Sequence, residues 1–307
     1  MLIDQLKNSE PIDNFELLAR QVVEGFIAGM HQSPFHGFSV EFAEHRLYNS
    51  GESTRHIDWK IYAKTDKLYV KRYDEETNLR CHIIIDNSAS MHYPESKNNN
   101  LSSLNKIGFS AVASAALMNI LKRQRDAVGL SIYSDSYEFY TGEKGSERHH
   151  RRILEALEKV LITPTQKGTD TYKYLHEIAE SLHRRSLVFL FTDLWQADAE
   201  EETLFEALRH LKYNKHEVVL FHTFDGVTEL NFDFDKQPKR FVDVETGESI
   251  NLYAENIQDN YQQAVKKYFS ELEMKCLQYN IDYVPVDIKN GFKKVLSAYL
   301  IKRNSMM

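Results

Sequence analysis

Five short, almost unbroken apolar runs constrain this chain more than any other feature: residues 81–85, 128–133, 187–191, 218–222 and 281–286. A strand with one wet face alternates apolar and polar residues, whereas a strand apolar at nearly every position is covered on both sides. Between and around the runs lie stretches of helical period, at 106–123, 149–161, 172–184, 200–211 and 258–279. Buried strands alternating with helices predict an α/β fold, a doubly wound and mostly parallel sheet with Rossmann-like layering. Residues 137–140 fit an antiparallel edge strand. In the long helix from Gln258, the stripe Tyr261, Val265, Tyr268, Phe269 and Leu272 reads as core rather than a partner groove.

The 307 residues leave room for a smaller companion to that domain. Phe15, Leu18, Val22, Phe26 and Met30 recur at spacings of three and four and predict an opening helix, with Asp13 or Asn14 as its cap. Residues 33–76 then change to turn residues and short alternating runs, such as Leu68 and Val70 against Tyr69, Lys71 and Tyr73. The division expected is a helix-plus-strands module over 1–78 and the α/β domain with its C-terminal helix over 79–307.

Charge and cysteine content narrow the setting. With 38 Lys+Arg against 45 Asp+Glu the formal charge is −7, which argues against bulk affinity for nucleic acid or anionic lipid. Cys81 and Cys276 show no CxxC spacing and read as single buried thiols in a reducing compartment. Asp4, Lys7 and Glu10 break any secretory leader, and apolar runs of about five residues fall far short of the roughly twenty that span a bilayer. A cytoplasmic protein without membrane insertion is expected.

Small oxygen-bearing side chains stand where three parallel strands should end, the place where open α/β sheets bind ligands. After the first run comes Asp86-Asn87-Ser88-Ala89-Ser90-Met91. Before the helix at 172 comes Gly168-Thr169-Asp170-Thr171, and after the third run comes Thr192-Asp193-Leu194-Trp195. Any one of these could be a helix cap. Together, two carboxylates and three hydroxyls suit a hard divalent cation, magnesium or manganese, which takes about six oxygen ligands and keeps some waters.

The DxSxS, Gly-Thr-Asp-Thr and Phe-Thr-Asp segments resemble a von Willebrand factor A domain with its metal-ion-dependent adhesion site. The resemblance implies Asp86, Ser88, Ser90, Thr169 and Asp193 as metal ligands, with Thr171 competing for the place of Thr169. The segments His36-Gly37-Phe38-Ser39-Val40-Glu41-Phe42, Arg46-Leu47-Tyr48 and Arg55-His56-Ile57-Asp58-Trp59-Lys60 resemble the leader of the bacterial domain-of-unknown-function family fifty-eight. Arg240-Phe241-Val242-Asp243 and Glu245-Thr246-Gly247-Glu248 fit the same family. The resemblance implies a non-enzymatic accessory of a MoxR-type AAA+ ATPase, whose client presents an acidic side chain to the metal.

Two rival readings use residues already named. Asp86 could accept a phosphoryl group with magnesium, but the acid/base Asp required two positions later is Ser88. Arg46, Arg55, His56, Trp59 and Lys60 could form a basic-aromatic surface for nucleic acid or protein. Packing of Trp59 and Tyr48 onto the main domain, with ion pairs around Arg55 and Asp58, is favoured for that cluster. The helix-opening Arg148-His149-His150-Arg151-Arg152 opposes the helix macrodipole and suggests a contact role. His176-Glu177-Ile178-Ala179-Glu180 lacks the second His of a zinc protease, and no phosphate-binding GxxxxGK[ST] loop occurs.

Overall fold

In a computed structural model, the apolar runs become the strands of one six-stranded sheet. The structure describes residues 15–30, 45–47, 59–71, 79–95, 104–162, 171–194, 198–235, 237–243 and 247–306. By internal contact the chain divides into Ser33–Asn78 and a larger unit that joins Met1–Gln32 to Leu79–Met307. In the smaller unit, β1 (His45–Leu47) and β2 (Tyr69–Lys71) pair antiparallel, and helix α2 (Trp59–Thr65) lies between them in sequence.

In the larger unit, β3 (Arg80–Asp86), β4 (Ala127–Tyr133), β5 (Tyr137–Lys144), β6 (Leu187–Thr192), β7 (Glu217–Phe224) and β10 (Asp282–Asp287) lie in the order β10-β7-β6-β3-β4-β5. All neighbours are parallel except β5, which runs antiparallel at the edge. Strand order reverses between β3 and β6, so the connections from those strands leave in opposite directions and open a crevice at their carboxyl ends. This is the doubly wound α/β class expected from the apolar runs.

Alternate residues feed two cores. Ile83, Ile85, Leu130, Ile132, Phe189, Phe191 and Phe221 face α1 (Phe15–Met30), α3 (Lys106–Arg123), α4 (Glu147–Ile162) and α8 (Lys293–Met306). Ile84, Val188, Leu190, Val218 and Leu220 face α5 (Thr171–Ser181), α6 (Asp198–Tyr213) and α7 (Gln258–Gln278). Burial on both faces explains why the strands read as continuous apolar runs. Helix α1 is grouped with the larger unit because Phe15, Leu18, Ala19, Val22 and Val23 are buried in the first of these cores. Its suggested caps, Asp13 and Asn14, lie outside the described residues.

Helix α3 is buried nearly all round, from Lys106 through Leu121 except Asn119. Its small residues, Gly108, Ser110, Ala111, Ala113, Ser114, Ala115 and Ala116, let neighbours approach closely. Ser110 and Ser114 bond back to carbonyls one turn earlier, at 2.8 and 2.7 Å, so their hydroxyls are satisfied within the helix. Asn105 caps α3 by accepting from Gly108 N at 2.9 Å.

The basic opening of α4 is divided between core and surface. His149 and His150 are buried, and His149 Nε2 donates to the Val128 carbonyl at 2.8 Å. His150 stands on the same stripe as Ile153, Leu157 and Val160, so helical period turns it inward while the arginines stay exposed. A small antiparallel hairpin of β8 (Lys239–Val242) and β9 (Ser249–Leu252) follows a π-type turn at Gly226–Leu230. Phe232, Phe241 and Tyr261 pack together beside it. Among the described residues no helix is long and apolar enough to cross a membrane.

Candidate metal centre

Strand β3 ends at Asp86, beside β6 at the reversal of strand order. Its backbone pairing continues one step further, with Asn87 N donating to the Tyr133 carbonyl at 2.7 Å. The chain then turns: Asp86 Oδ1 accepts from Ser88 N at 2.9 Å, an Asx-type turn, and Met91 N reaches the Ser88 carbonyl at 3.1 Å. The tight turn at Ser90–His92 brings Ser88 Oγ and Ser90 Oγ to 3.0 Å from each other. From the neighbouring strand, Thr192 Oγ1 donates to Asp86 Oδ2 at 2.9 Å, and Asp193 follows. Asp86, Ser88 and Asp193 are buried, and Ser90 is half-buried.

Burial, and then the charge of Asp193, push the Asp86 carboxyl up to about 6, against the opposing bonds from Ser88 and Thr192. A buried cation links Asp193 to a third carboxylate beyond the candidate ligands. Lys106, the first residue of α3 and fully buried, donates to Asp193 Oδ2 at 2.8 Å and to Glu229 Oε1 at 2.5 Å. Burial alone would lower the Lys106 ammonium, but Asp193 and Glu229 outweigh it and hold the group above its ordinary value. Burial raises Glu229 despite the neighbouring ammonium. Asp193 and Glu229 therefore share one ammonium, and Asp86, raised in part by the charge of Asp193, adds a further carboxyl in surroundings that penalise uncompensated charge.

More carboxyl groups than cations gather here, and the donor set is the hard-oxygen kind that magnesium or manganese takes. Among the described residues no three His, Cys, Asp or Glu side chains gather as a metal cluster, so a cation here would depend on the serine hydroxyls and water. Thr169, the fifth ligand expected, lies outside the described residues. Thr171 begins α5. The structure thus brings together Asp86, Ser88 and Ser90, and joins them to Asp193 through Thr192.

Sequence reasoning missed Lys106 and Glu229. Lys106 carried a signal, a cation at the first position of a helix that is otherwise free of charge until Lys122; at that first position the macrodipole disfavours positive charge. Glu229 carried none. Of the leader residues, Arg55 and His56 lie outside the described residues, while Arg46 falls in β1 and Lys60 in α2. Trp59 opens α2, with its ring edge-on to Tyr62 at 6.1 Å. Residues 62–65 of that helix are exposed.

The family profile described as "Protein of unknown function DUF58" matches residues 44–270. The chain belongs to the DUF58 family. Uncharacterized proteins of Mycobacterium bovis and Mycobacterium tuberculosis are each 21 % identical over 191 residues, 62 % of the DUF58 chain and 58 % of their own length. The match therefore spans less than two thirds of those relatives. Among solved structures, the conserved hypothetical protein BatB from Bacteroides thetaiotaomicron aligns at 14 % identity and a TM-score of 0.43, covering 74 % of this chain and 99 % of BatB. The SpRpn10 VWA domain aligns at 11 % identity and a TM-score of 0.37, covering 72 % of this chain and 94 % of that domain.

A second polar constellation in the DUF58 chain has the geometry of a hydrolase relay without its access. His82 Nε2 lies 2.7 Å from Ser131 Oγ, and His82 Nδ1 lies 2.7 Å from Glu143 Oε1. Ser131 and His82 are 0 % exposed, so no substrate reaches the hydroxyl and the network is structural. Gly129 gives it room, at a register shift between β4 and β5. A Cβ there would stand 2.5 Å from His82 Nδ1 and 2.8 Å from the Thr141 carbonyl oxygen. Gly129→Ala is expected to cost about 2–3 kcal/mol in urea unfolding, through forced displacement of His82 or of backbone.

The Glu143 carboxyl should also shape acid stability. Burial would raise it, but the bond and charge of His82 outweigh burial and hold it down at about 2 from an ordinary 4.5. A depressed carboxylate stabilises the fold above its unfolded value and loses that contribution as pH falls through the folded one. Wild type should exceed Glu143→Gln by up to ~3 kcal/mol near neutral pH, with the gap closing between about pH 4.5 and 2. Chemical denaturation of both proteins across that range measures it, and a constant gap would contradict the assignment.

Proposed function

We propose that the larger unit is a von Willebrand A-type interaction module that recognises a partner protein through magnesium or manganese held at the carboxyl ends of β3 and β6. The observation that carries this reading is the meeting of Asp86, Ser88, Ser90 and Asp193 at the strand-order reversal, with Asp193 paired to the buried Lys106. Ser88 and Ser90 would offer hydroxyl oxygens, Asp86 and Asp193 carboxylates directly or through water, and Thr169 or Thr171 the remaining hydroxyl. Thr192 holds Asp86 in orientation, and burial of the cluster strengthens its electrostatics. A bound divalent ion would supply an open, Lewis-acidic position for a partner's Asp or Glu.

Kinship with the DUF58 family supports a MoxR-type AAA+ ATPase as the partner, with this chain as a non-enzymatic adaptor between that ATPase and a client. The proposed setting is the cytoplasm. Capture of the ATPase by the purified chain, with and without EDTA and with Asp86→Ala, tests the reading. Capture should fail in EDTA and with the variant, whereas equal capture in all arms would overturn the metal mechanism. Phosphotransfer through Asp86 is the weaker reading. Lys106, the cation that could meet a phosphoryl oxygen, is committed to Asp193 and Glu229, and position 88 carries a serine rather than an acid. Labelling by acetyl phosphate would be required to restore it.

A further inference from the structure

Lys106 is the feature of this site that the metal reading does not use. A fully buried ammonium is costly unless it is paired, and this one is shared between two carboxylates. The two differ in kind. Asp193 belongs to the candidate ligand set. Glu229 does not: it sits in the π-type turn Gly226–Leu230, where its Oε2 accepts from Asp225 N at 2.7 Å and its carbonyl accepts from the Tyr261 hydroxyl at 2.9 Å. Glu229 is therefore fixed from two sides, independently of the ammonium, as a second resting place for it. One lysine spans a ligand carboxylate and a non-ligand carboxylate, within hydrogen-bond reach of both.

We propose that Lys106 is a tethered competitor of the divalent cation for Asp193, and that Glu229 sets how strongly it competes by drawing the ammonium away. This rests on the metal reading of the site and adds to it a built-in control of affinity. Without the ion, Lys106 neutralises Asp193 and the buried cluster is tolerated. With the ion, the ammonium is held by Glu229 alone, and the pull is transmitted to the 226–230 turn and, through the Tyr261 hydroxyl, to α7. Removing Lys106 frees Asp193 for the cation. Removing the charge of Glu229 leaves the ammonium wholly on Asp193 and strengthens the competition.

Calorimetric titration of the full chain with Mn²⁺ tests this in wild type, Lys106→Met, Glu229→Gln and the double variant, with folding of each checked by circular dichroism. Lys106→Met should bind Mn²⁺ at least about tenfold more tightly than wild type, and Glu229→Gln about threefold to tenfold more weakly. In the double variant the effect of Glu229→Gln should shrink to within about twofold, because the glutamate acts through the lysine. If Lys106→Met does not fold, Lys106→Gln takes its place with the same criteria. A purely structural role would move both single variants in the same direction, and a simple field effect would make them additive; either result overturns the proposal while leaving the metal reading intact. Absence of Mn²⁺ binding in every protein, Lys106→Met included, would instead remove the metal reading and this inference with it.

Discussion

Mn²⁺ or Mg²⁺ is expected to stabilise the wild-type chain against heat, and Asp86→Ala to abolish that stabilisation. A ligand present at about one hundred times its dissociation constant stabilises the native state by about 2.7 kcal/mol, which for a unit of this size raises Tm by roughly 5–10 °C. Asp86 is the most constrained member of the site, with one oxygen accepting from Ser88 N and the other from Thr192 Oγ1. Its loss should weaken the ion by at least about 100-fold, beyond the concentrations that raise Tm in wild type. The metal-free protein should change less. Truncation leaves the Ser88 N–H and the Thr192 hydroxyl without that acceptor, but it also removes a buried charge facing Asp193. A variant that responds to Mn²⁺ as wild type does would place the ion elsewhere.

The second large effect lies at the opposite end of the sheet and concerns stability alone. Asp126, buried at the start of β4, accepts from Leu79 N at 3.1 Å through Oδ1 and pairs with Arg303 of α8 through Oδ2. Arg303 also donates to the Tyr299 hydroxyl at 3.1 Å, which in turn donates to Gln124 Oε1 at 2.5 Å. The network ties the last helix to the entry of β3 and to the end of α3. Asp126→Ala leaves a buried N–H and a guanidinium without this carboxylate, a change expected to cost about 3–5 kcal/mol in urea unfolding. Asp126→Asn, which keeps an acceptor for Leu79, should cost less. A loss below about 0.5 kcal/mol for the alanine variant would show that packing of Tyr299 and its neighbours holds α8 without the ion pair.

How far these features could be read in advance follows from where their causes lie along the chain. The central strands were legible to within two residues because burial on both faces leaves 187–191 and 218–221 wholly apolar. Helix α3 spans the 106–123 read from helical period; Asn105 caps its start, and Arg125 just past its close lies in the left-handed region at φ 60°. Strand β5 runs on to Lys144, beyond the 137–140 read from sequence, because an exposed edge strand carries a weak pattern. The hairpin β8–β9 was not read as strands at all, since most of its residues are exposed. At the site, Asp86, Ser88 and Ser90 were visible because one turn delivers all three. Lys106 and Glu229 meet across 123 positions, and no local periodicity announces such a contact.

A single cation is expected at the carboxyl ends of β3 and β6, and calorimetric titration of the wild-type chain with Mn²⁺, repeated with Ser88→Ala and Ser90→Ala, tests this most directly. One ion per chain is expected in wild type, with affinity reduced about tenfold or more by either serine substitution, because no third carboxylate, His or Cys among the described residues joins Asp86 and Asp193 in a metal cluster to replace a lost hydroxyl. A wild-type chain that takes up no Mn²⁺ at millimolar concentration, or serine variants that bind it as tightly as wild type, would contradict the account.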